Sequence, residues 1–172
     1  MWRGGLVTGA ALPDEDDAAL RRSLEHRWPG AEEAEPPAFV AEAAALVVRM
    51  LEGEKVDLAG VPLDLSAASD LERKVWEAAL RIPRGEVRTY GDIAREIGAP
   101  GAAQAVGAAL GRNPIPILVP CHRVLAAGGR SGGFSAPGGT RTKFRILEIE
   151  GARRAEESGL FETLPLAVKP DP

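Results

Sequence analysis

GEVRTYGDIAREIGAPGAAQAVGAALGRNP, residues 85–114, decides how this chain is organised. Thr89 is placed to cap a short helix, YGDIAREI, which stops at Gly98 and is followed by the turn APG. A second helix, AAQAVGAALG, then runs to Asn113-Pro114, where proline cannot continue it. Two short helices joined by a tight Gly/Pro turn form a helix-turn-helix pattern, a weak signal alone because many helical hairpins bind no nucleic acid. The second helix lacks bulk. Ala102, Ala103, Ala105, Gly107, Ala108 and Ala109 leave a smooth surface that fits a groove of DNA or, equally, a neighbouring helix.

Charge adds to this reading. The whole chain carries a net −4, but residues 80–146 hold 10 Lys/Arg against 3 Asp/Glu, while residues 1–65 hold 6 against 13. Polyanion binding depends on local rather than total charge, so the basic window is compatible with DNA and also with an Arg-rich solvated face. Immediately upstream, SDLERKVWEAALRIPRG predicts a helix with a Ser69/Glu72 capping box. Its apolar face is Leu71, Val75, Ala78, Ala79 and Ile82, and Pro83 ends it.

Downstream lies PIPILVPCHRVLAAGG, residues 114–129, which holds Cys121, the only cysteine of 172 residues, and His122, one of two histidines. Ile117, Leu118 and Val119 read as a buried strand that Pro120 ends, leaving Cys121 where the chain exits the core. A lone cysteine is most often an inert apolar residue. Here an adjacent histidine favours the thiolate, the nucleophilic form. Neighbouring side chains point different ways, so a bridging water is expected between His122 and Cys121. A carboxylate is needed to orient the imidazole, and Glu148 and Glu150 on the closing helix TRTKFRILEIEG both qualify; spacing does not choose between them. Phe144, Ile146 and Leu147 are the expected inward residues of that helix. A thiolate in a basic setting supports acyl transfer, as in a cysteine hydrolase, or direct alkyl transfer to sulfur. Redox cycling fits poorly, because the chain has no second thiol.

Residues 1–65 form an acidic first unit. LVTGAAL predicts a strand, DEDDAALRRSLEHRW a helix with acids in its first turn, and PAFVAEAAALVVRMLEGE a second helix with Phe39, Val40, Ala43, Leu46, Val47, Met50 and Leu51 on one face. VDLAGVPLDLSAA reads as a strand and linker. The expected fold class is α/β: a small mixed unit over 1–65, a largely helical unit with the helix-turn-helix over 66–152, and a tail over 153–172. No run of about 18 apolar residues predicts a membrane span, the start lacks the pattern of a signal peptide, and one cysteine forms no internal disulfide; a cytoplasmic protein is expected. Two histidines and one cysteine make no typical zinc site. His26 is expected on a solvated helix face, and Trp28 and Trp76 in packing roles.

NPIPILVPCHRV, the glycine-rich GGFSAPGG and the LEIEG helix end together closely resemble the O6-alkylguanine-DNA alkyltransferases (methylated-DNA–protein-cysteine methyltransferases). VWEAALRIPRGEVRTYGDIAREIG is similar to that family's helix-turn-helix region, and the resemblance covers roughly residues 62–151. It implies a winged-helix-like unit that binds double-stranded DNA through the minor groove, flips an O6-alkylguanine (or O4-alkylthymine) into a pocket, and moves the alkyl group irreversibly onto Cys121, as a monomer and without cofactor or metal. It also implies roles. His122 removes the thiol proton through water, and Glu150 rather than Glu148 orients it. Asn113 holds the turn before the active-site strand. Tyr90 presses on the DNA backbone and donates to the guanine ring. Backbone near Cys121 and Val124 reads the base edge, Phe134 and Ser135 close the pocket, and Arg123 supports structure. Ala103, Gln104, Gly107 and Arg112 lie on the DNA side.

Four departures stand out. Gln104 occupies the place of an arginine that fills the gap left by the flipped base. Phe134 stands where tyrosine is expected. SAASDLER replaces a GTxFQ-like run. RGGLVTGAALPDED resembles the end of the family's first hairpin, which implies a first unit short of an initial strand. A branch of the family that lacks the cysteine only binds lesions, so the alternative function is a non-catalytic lesion-binding or regulatory DNA protein; Cys121 argues against it.

Overall fold

In the computed structural model, which describes residues 1–14 and 16–152, the chain opens as a hairpin of two short strands. β1 (Trp2–Arg3) pairs antiparallel with β2 (Leu6–Val7) through Gly4 and Gly5, both at positive φ. The strand expected over LVTGAAL is thus only Leu6–Val7. The strand expected over VDLAGVPLDLSAA reduces to one residue: Val7 bridges Leu63 in parallel, donating to Pro62 O (2.9 Å) and accepting from Asp64 N–H (2.9 Å). Pro62, which has no N–H to donate, stands inside that segment and stops a ladder from growing.

Asp16 caps α1 (Asp17–Arg27) by accepting the Ala19 N–H at 2.7 Å. The helix buries no residue fully, and His26 is exposed on its last turn, as expected. Trp28 packs its ring on Gly9, where a Cβ would come within 2.3 Å of it. Helix α2 (Ala38–Leu51) buries Ala43 and Met50, with Phe39, Leu46 and Val47 partly covered.

Helix α3 (Asp70–Leu80) starts at the predicted Ser69/Glu72 capping box and buries Val75, Trp76, Ala78 and Ala79. The Trp76 indole donates to Ala109 O at 2.9 Å, which docks α3 on the second helix of the hairpin. After β3 (Arg88–Thr89), Thr89 and Asp92 form a second capping box at the start of α4 (Tyr90–Glu96). Gly98 and Gly101, at φ 76° and 90°, turn the chain into α5 (Ala103–Gly111). Ala78, Ala79, Ala94 and Ala109 are fully buried where these three helices meet, so small side chains let the backbones approach closely.

The buried strand expected at Ile117–Val119 is instead a turn, with a bridge between Pro116 and Val119. Pro114, Pro116 and Pro120 remove the donors a ladder needs, and Ile117 adopts a left-handed φ of 72°. Beyond the turn, β4 (Val124–Leu125) pairs in parallel with β3, Arg88 opposite Val124 and Thr89 opposite Leu125. The chain closes with α6 (Gly139–Ile149). Its buried residues are Lys143, Ile146 and Leu147; Phe144, expected inside, is only partly covered, and a lysine takes the inner position. Two apolar clusters result. The larger joins Val7, Ala43 and Val61 to α3, α4 and α5, and the smaller joins Leu12, Met50, Ile117 and Ile146. Residues on both sides of position 66 build each of them. The tail expected over 153–172 lies outside the described residues.

Candidate active site

Asn113 organises the turn that carries Cys121. Its Oδ1 accepts the Ile115 N–H (2.9 Å), and its Nδ2 donates to Val119 O (2.9 Å) and to Cys121 Sγ (3.2 Å). The amide therefore supplies side-chain bonds where a proline-rich segment cannot make a ladder. Cys121 begins a single 3-10 turn, Cys121–Arg123, rather than ending a strand, and is 6% exposed. Burial pushes its thiol pKa up; the Asn113 donor and the Lys143 charge act against that shift.

The same turn sends His122 to the opposite side, fully buried, with Nε2 3.2 Å from Glu150 Oε1. Neither ring nitrogen meets a hydrogen-bond partner in good alignment among the described residues. Burial lowers the His122 pKa, and the Glu150 carboxylate pulls it back up. The imidazole is thus neutral at neutral pH and able to accept a proton.

Glu150, not Glu148, faces the site. It is the C-cap of α6, and Glu148, two residues earlier and so on the other face of the helix, is exposed and paired with Arg145. Arg123 grips both Glu150 oxygens (2.9 and 2.6 Å) and donates to Ile82 O (2.7 Å). Burial alone would raise the Glu150 pKa, but the adjacent His122 ring and the Arg123 guanidinium outweigh it and bring it to about 2. Arg123 is therefore the counter-ion that keeps the buried carboxylate charged.

On its exposed side the thiol opens onto a cavity of about 280 Å3 lined by Tyr90, Gly107, Leu110, Gly111, Gly132, Gly133, Phe134, Ser135 and Lys143. The β3–β4 pairing places Tyr90, the first residue of α4, beside this cavity. The Tyr90 hydroxyl donates to Ser131 O (3.4 Å), and its ring lies against Gly132 and Gly107. A Cβ on Gly132, whose φ is 66°, would come within 2.4 Å of that ring, so only glycine lets the loop pass so close.

Lys143 went unrecognised in the sequence. Its ammonium is buried and donates to Val124 O (2.6 Å), Ser131 O (2.9 Å) and Gly133 O (3.3 Å), joining the turn after Cys121 to the pocket loop. It lies 5.8 Å from the Tyr90 ring centroid. Burial lowers its pKa to about 8, and the Cys121 thiolate opposes that shift. The available signal was its register: Lys143, Ile146, Leu147 and Glu150 recur at helical spacing, so a lysine on the apolar stripe shares a face with Glu150.

The structure brings Cys121, Asn113, Tyr90, Gly107, Phe134 and Ser135 to one side and His122, Arg123 and Glu150 behind them, while Val124 lies buried beneath the pocket loop. Gln104 and Ala103 lie on α5 outside the cavity lining, with Gln104 exposed. Arg112 bonds Glu72 Oε1 at 2.5 Å. Among the described residues no cluster of three His, Cys, Asp or Glu residues could hold a metal, and no helix is long and apolar enough to cross a membrane.

A buried thiol on the turn after a helix-turn-helix, backed by a histidine–carboxylate pair, marks a class of proteins that work through one cysteine. The family described as "6-O-methylguanine DNA methyltransferase, DNA binding domain" matches residues 70–152. A methylated-DNA–protein-cysteine methyltransferase of Mycobacterium tuberculosis is 51% identical over 102 residues, 59% of this chain and 60% of that protein, so the match spans less than two thirds of the relative. The crystal structure of M. tuberculosis O6-methylguanine methyltransferase superposes with a TM-score of 0.66 at 39% identity, over 88% of this chain and 84% of that one. That of M. tuberculosis OGT in complex with DNA superposes with a TM-score of 0.59 at 45% identity, over 70% and 72%. This chain belongs to the 6-O-methylguanine DNA methyltransferase family.

Proposed function

We propose that this protein repairs DNA directly, moving the alkyl group of an O6-alkylguanine in duplex DNA onto Cys121, once per molecule. The observation that carries this reading is the placement of the thiol: Asn113 Nδ2 holds Sγ at 3.2 Å, at the floor of a cavity that opens between α5 and the Gly132–Ser135 loop. The helix-turn-helix borders that same cavity through Gly107, Leu110 and Gly111, so a base turned out of a duplex lying on α5 would enter toward Sγ.

The neutral His122, held by Glu150, accepts the Cys121 proton through a water molecule. The thiolate attacks the alkyl carbon; the S–C bond forms, the C–O6 bond breaks, and the electron pair passes into the purine. Tyr90 donates a proton to the ring, so guanine leaves neutral, and the proton taken from Cys121 balances the one given. Burial raises the Tyr90 pKa, so the hydroxyl gives up its proton only as negative charge builds on the purine, and the proton held by His122 then returns to Tyr90 through solvent. The thioether has no route back to thiol, so turnover stops at one. The small residues of α5 suit a narrow groove. A free thiol suits a reducing compartment, and the protein acts as a cytoplasmic monomer.

The test is a stoichiometry. Duplex DNA bearing O6-methylguanine is incubated with increasing protein and digested to nucleosides, and the remaining lesion is counted. One lesion lost per protein molecule, with none lost to Cys121→Ser, is the expected result. Tight binding to the lesion with no loss would instead assign a lesion-binding protein.

A further inference from the structure

We infer that Arg84 is a positioning residue for the transfer step: it bolts the end of α2 to the end of α6 and so fixes the backbone from which Glu150 reaches His122. This inference rests on the proposed alkyl transfer to Cys121. It starts from an accounting of the last carbonyls of α6. Gly151, at φ 71°, closes the helix: its N–H donates to Glu148 O (3.0 Å) and the Ala152 N–H to Leu147 O (2.9 Å), a pairing that leaves the Ile149 and Glu150 carbonyls open. Arg84 takes both, through Nη2 to Ile149 O (2.9 Å) and Nε to Glu150 O (3.4 Å). The same guanidinium donates to Gly53 O (3.3 Å) and to Glu54 O, just past the end of α2.

Four carbonyls from two elements far apart in sequence thus meet on one planar cation, a geometry that a lysine point charge reproduces only in part. Gly85, at φ 80°, lets this turn bend back beside the end of α6, within van der Waals reach of Glu150 O. From the other side, Arg123 ties the Glu150 carboxylate to Ile82 O, on the same turn that carries Arg84. Glu150 is therefore held twice by one turn, its carboxylate through Arg123 and its main chain through Arg84. Only the second hold involves the acidic first unit, so the end of α2 acts on the site although none of its residues lines the thiol cavity.

The experiment uses the full chain and three proteins, wild type, Arg84→Met and Arg84→Lys, under single-turnover conditions with O6-methylguanine duplex. The limiting transfer rate at saturating DNA is measured separately from the dissociation constant, and thermal unfolding in parallel identifies a temperature at which all three are folded. Arg84→Met should transfer about tenfold more slowly at saturation, a part of the roughly 10²–10⁴-fold that a positioned general base contributes, with the dissociation constant for DNA unchanged. Arg84→Lys should recover part of the loss, because the positive charge at the two chain ends returns. A wild-type protein that transfers and an Arg84→Met protein that transfers equally fast would overturn the inference, as would a loss confined to DNA affinity or one that follows the unfolded fraction. A wild-type protein that takes no methyl group would instead refute the proposed function.

Discussion

Ile117 sits in the left-handed region at φ 72° although it is β-branched, and its side chain is buried among Leu12, Met50 and Ile146. Truncation to alanine removes that packing and should destabilise the protein by about 2–5 kcal/mol. Glycine removes one more buried methyl, worth about 0.8 kcal/mol, and adds unfolded-state entropy of about 0.5–1 kcal/mol. At an ordinary buried site glycine should therefore be about 1.5 kcal/mol worse than alanine. Here alanine keeps a left-handed conformation that costs a residue with a Cβ about 1–2 kcal/mol, and glycine is released from it. The terms cancel, so Ile117→Ala and Ile117→Gly should unfold within about 0.5 kcal/mol of each other. Urea denaturation with equal m-values measures the difference. A glycine variant weaker than the alanine variant by the ordinary margin would refute the claim that packing holds this residue in a strained turn.

Lys143→Met should slow iodoacetamide modification of Cys121 at about pH 7, where Lys143, with a pKa of about 8, is still an ammonium that favours the thiolate; an unchanged or faster reaction would exclude that role. Asn113→Ala leaves the Ile115 N–H unpaired in a buried turn, while Val119 O keeps the Cys121 N–H, and should cost about 1–3 kcal/mol in urea unfolding, with slower iodoacetamide modification at fixed pH as the thiol loses its donor. The Glu150 pKa is depressed to about 2, below its ordinary value of 4.5. Its stabilising contribution is therefore complete above about pH 4.5 and lost as pH falls towards about 2. Glu150→Gln should flatten the fall of stability across that interval, measured by thermal unfolding from pH 5 downwards, and an unaltered slope would contradict the assignment.

Much of this site was legible because its residues are local. The Ser69/Glu72 and Thr89 caps, the turn at Gly98–Gly101 and the Cys121–His122 pair each depend on neighbours a few residues away, and side-chain chemistry at that range is readable along the chain. The closing carboxylate was legible only as Glu148 or Glu150 until the resemblance chose between them. In the structure it is Glu150 that stands beside His122, and Arg123 reaches it across 27 positions, a pairing no local spacing could reveal. The Ile117–Val119 segment misled because a short apolar run marks burial and does not by itself separate a strand from a turn. The prolines that exclude a ladder read only as boundaries. Lys143 and Arg84 were missed for a common reason. Both are cations whose partners are backbone carbonyls from remote segments, and a carbonyl has no signature in sequence. Their placement depends on how α6 packs, not on any motif that contains them.

Intact-protein mass spectrometry after incubation with duplex DNA bearing one O6-methylguanine, followed by peptide mapping, tests the central claim most directly. A gain of about 14 Da, the mass of one methylene, on the peptide containing Cys121 is the predicted result, and Cys121→Ser should gain nothing. An unmodified Cys121 after full exposure to the lesion would contradict the account.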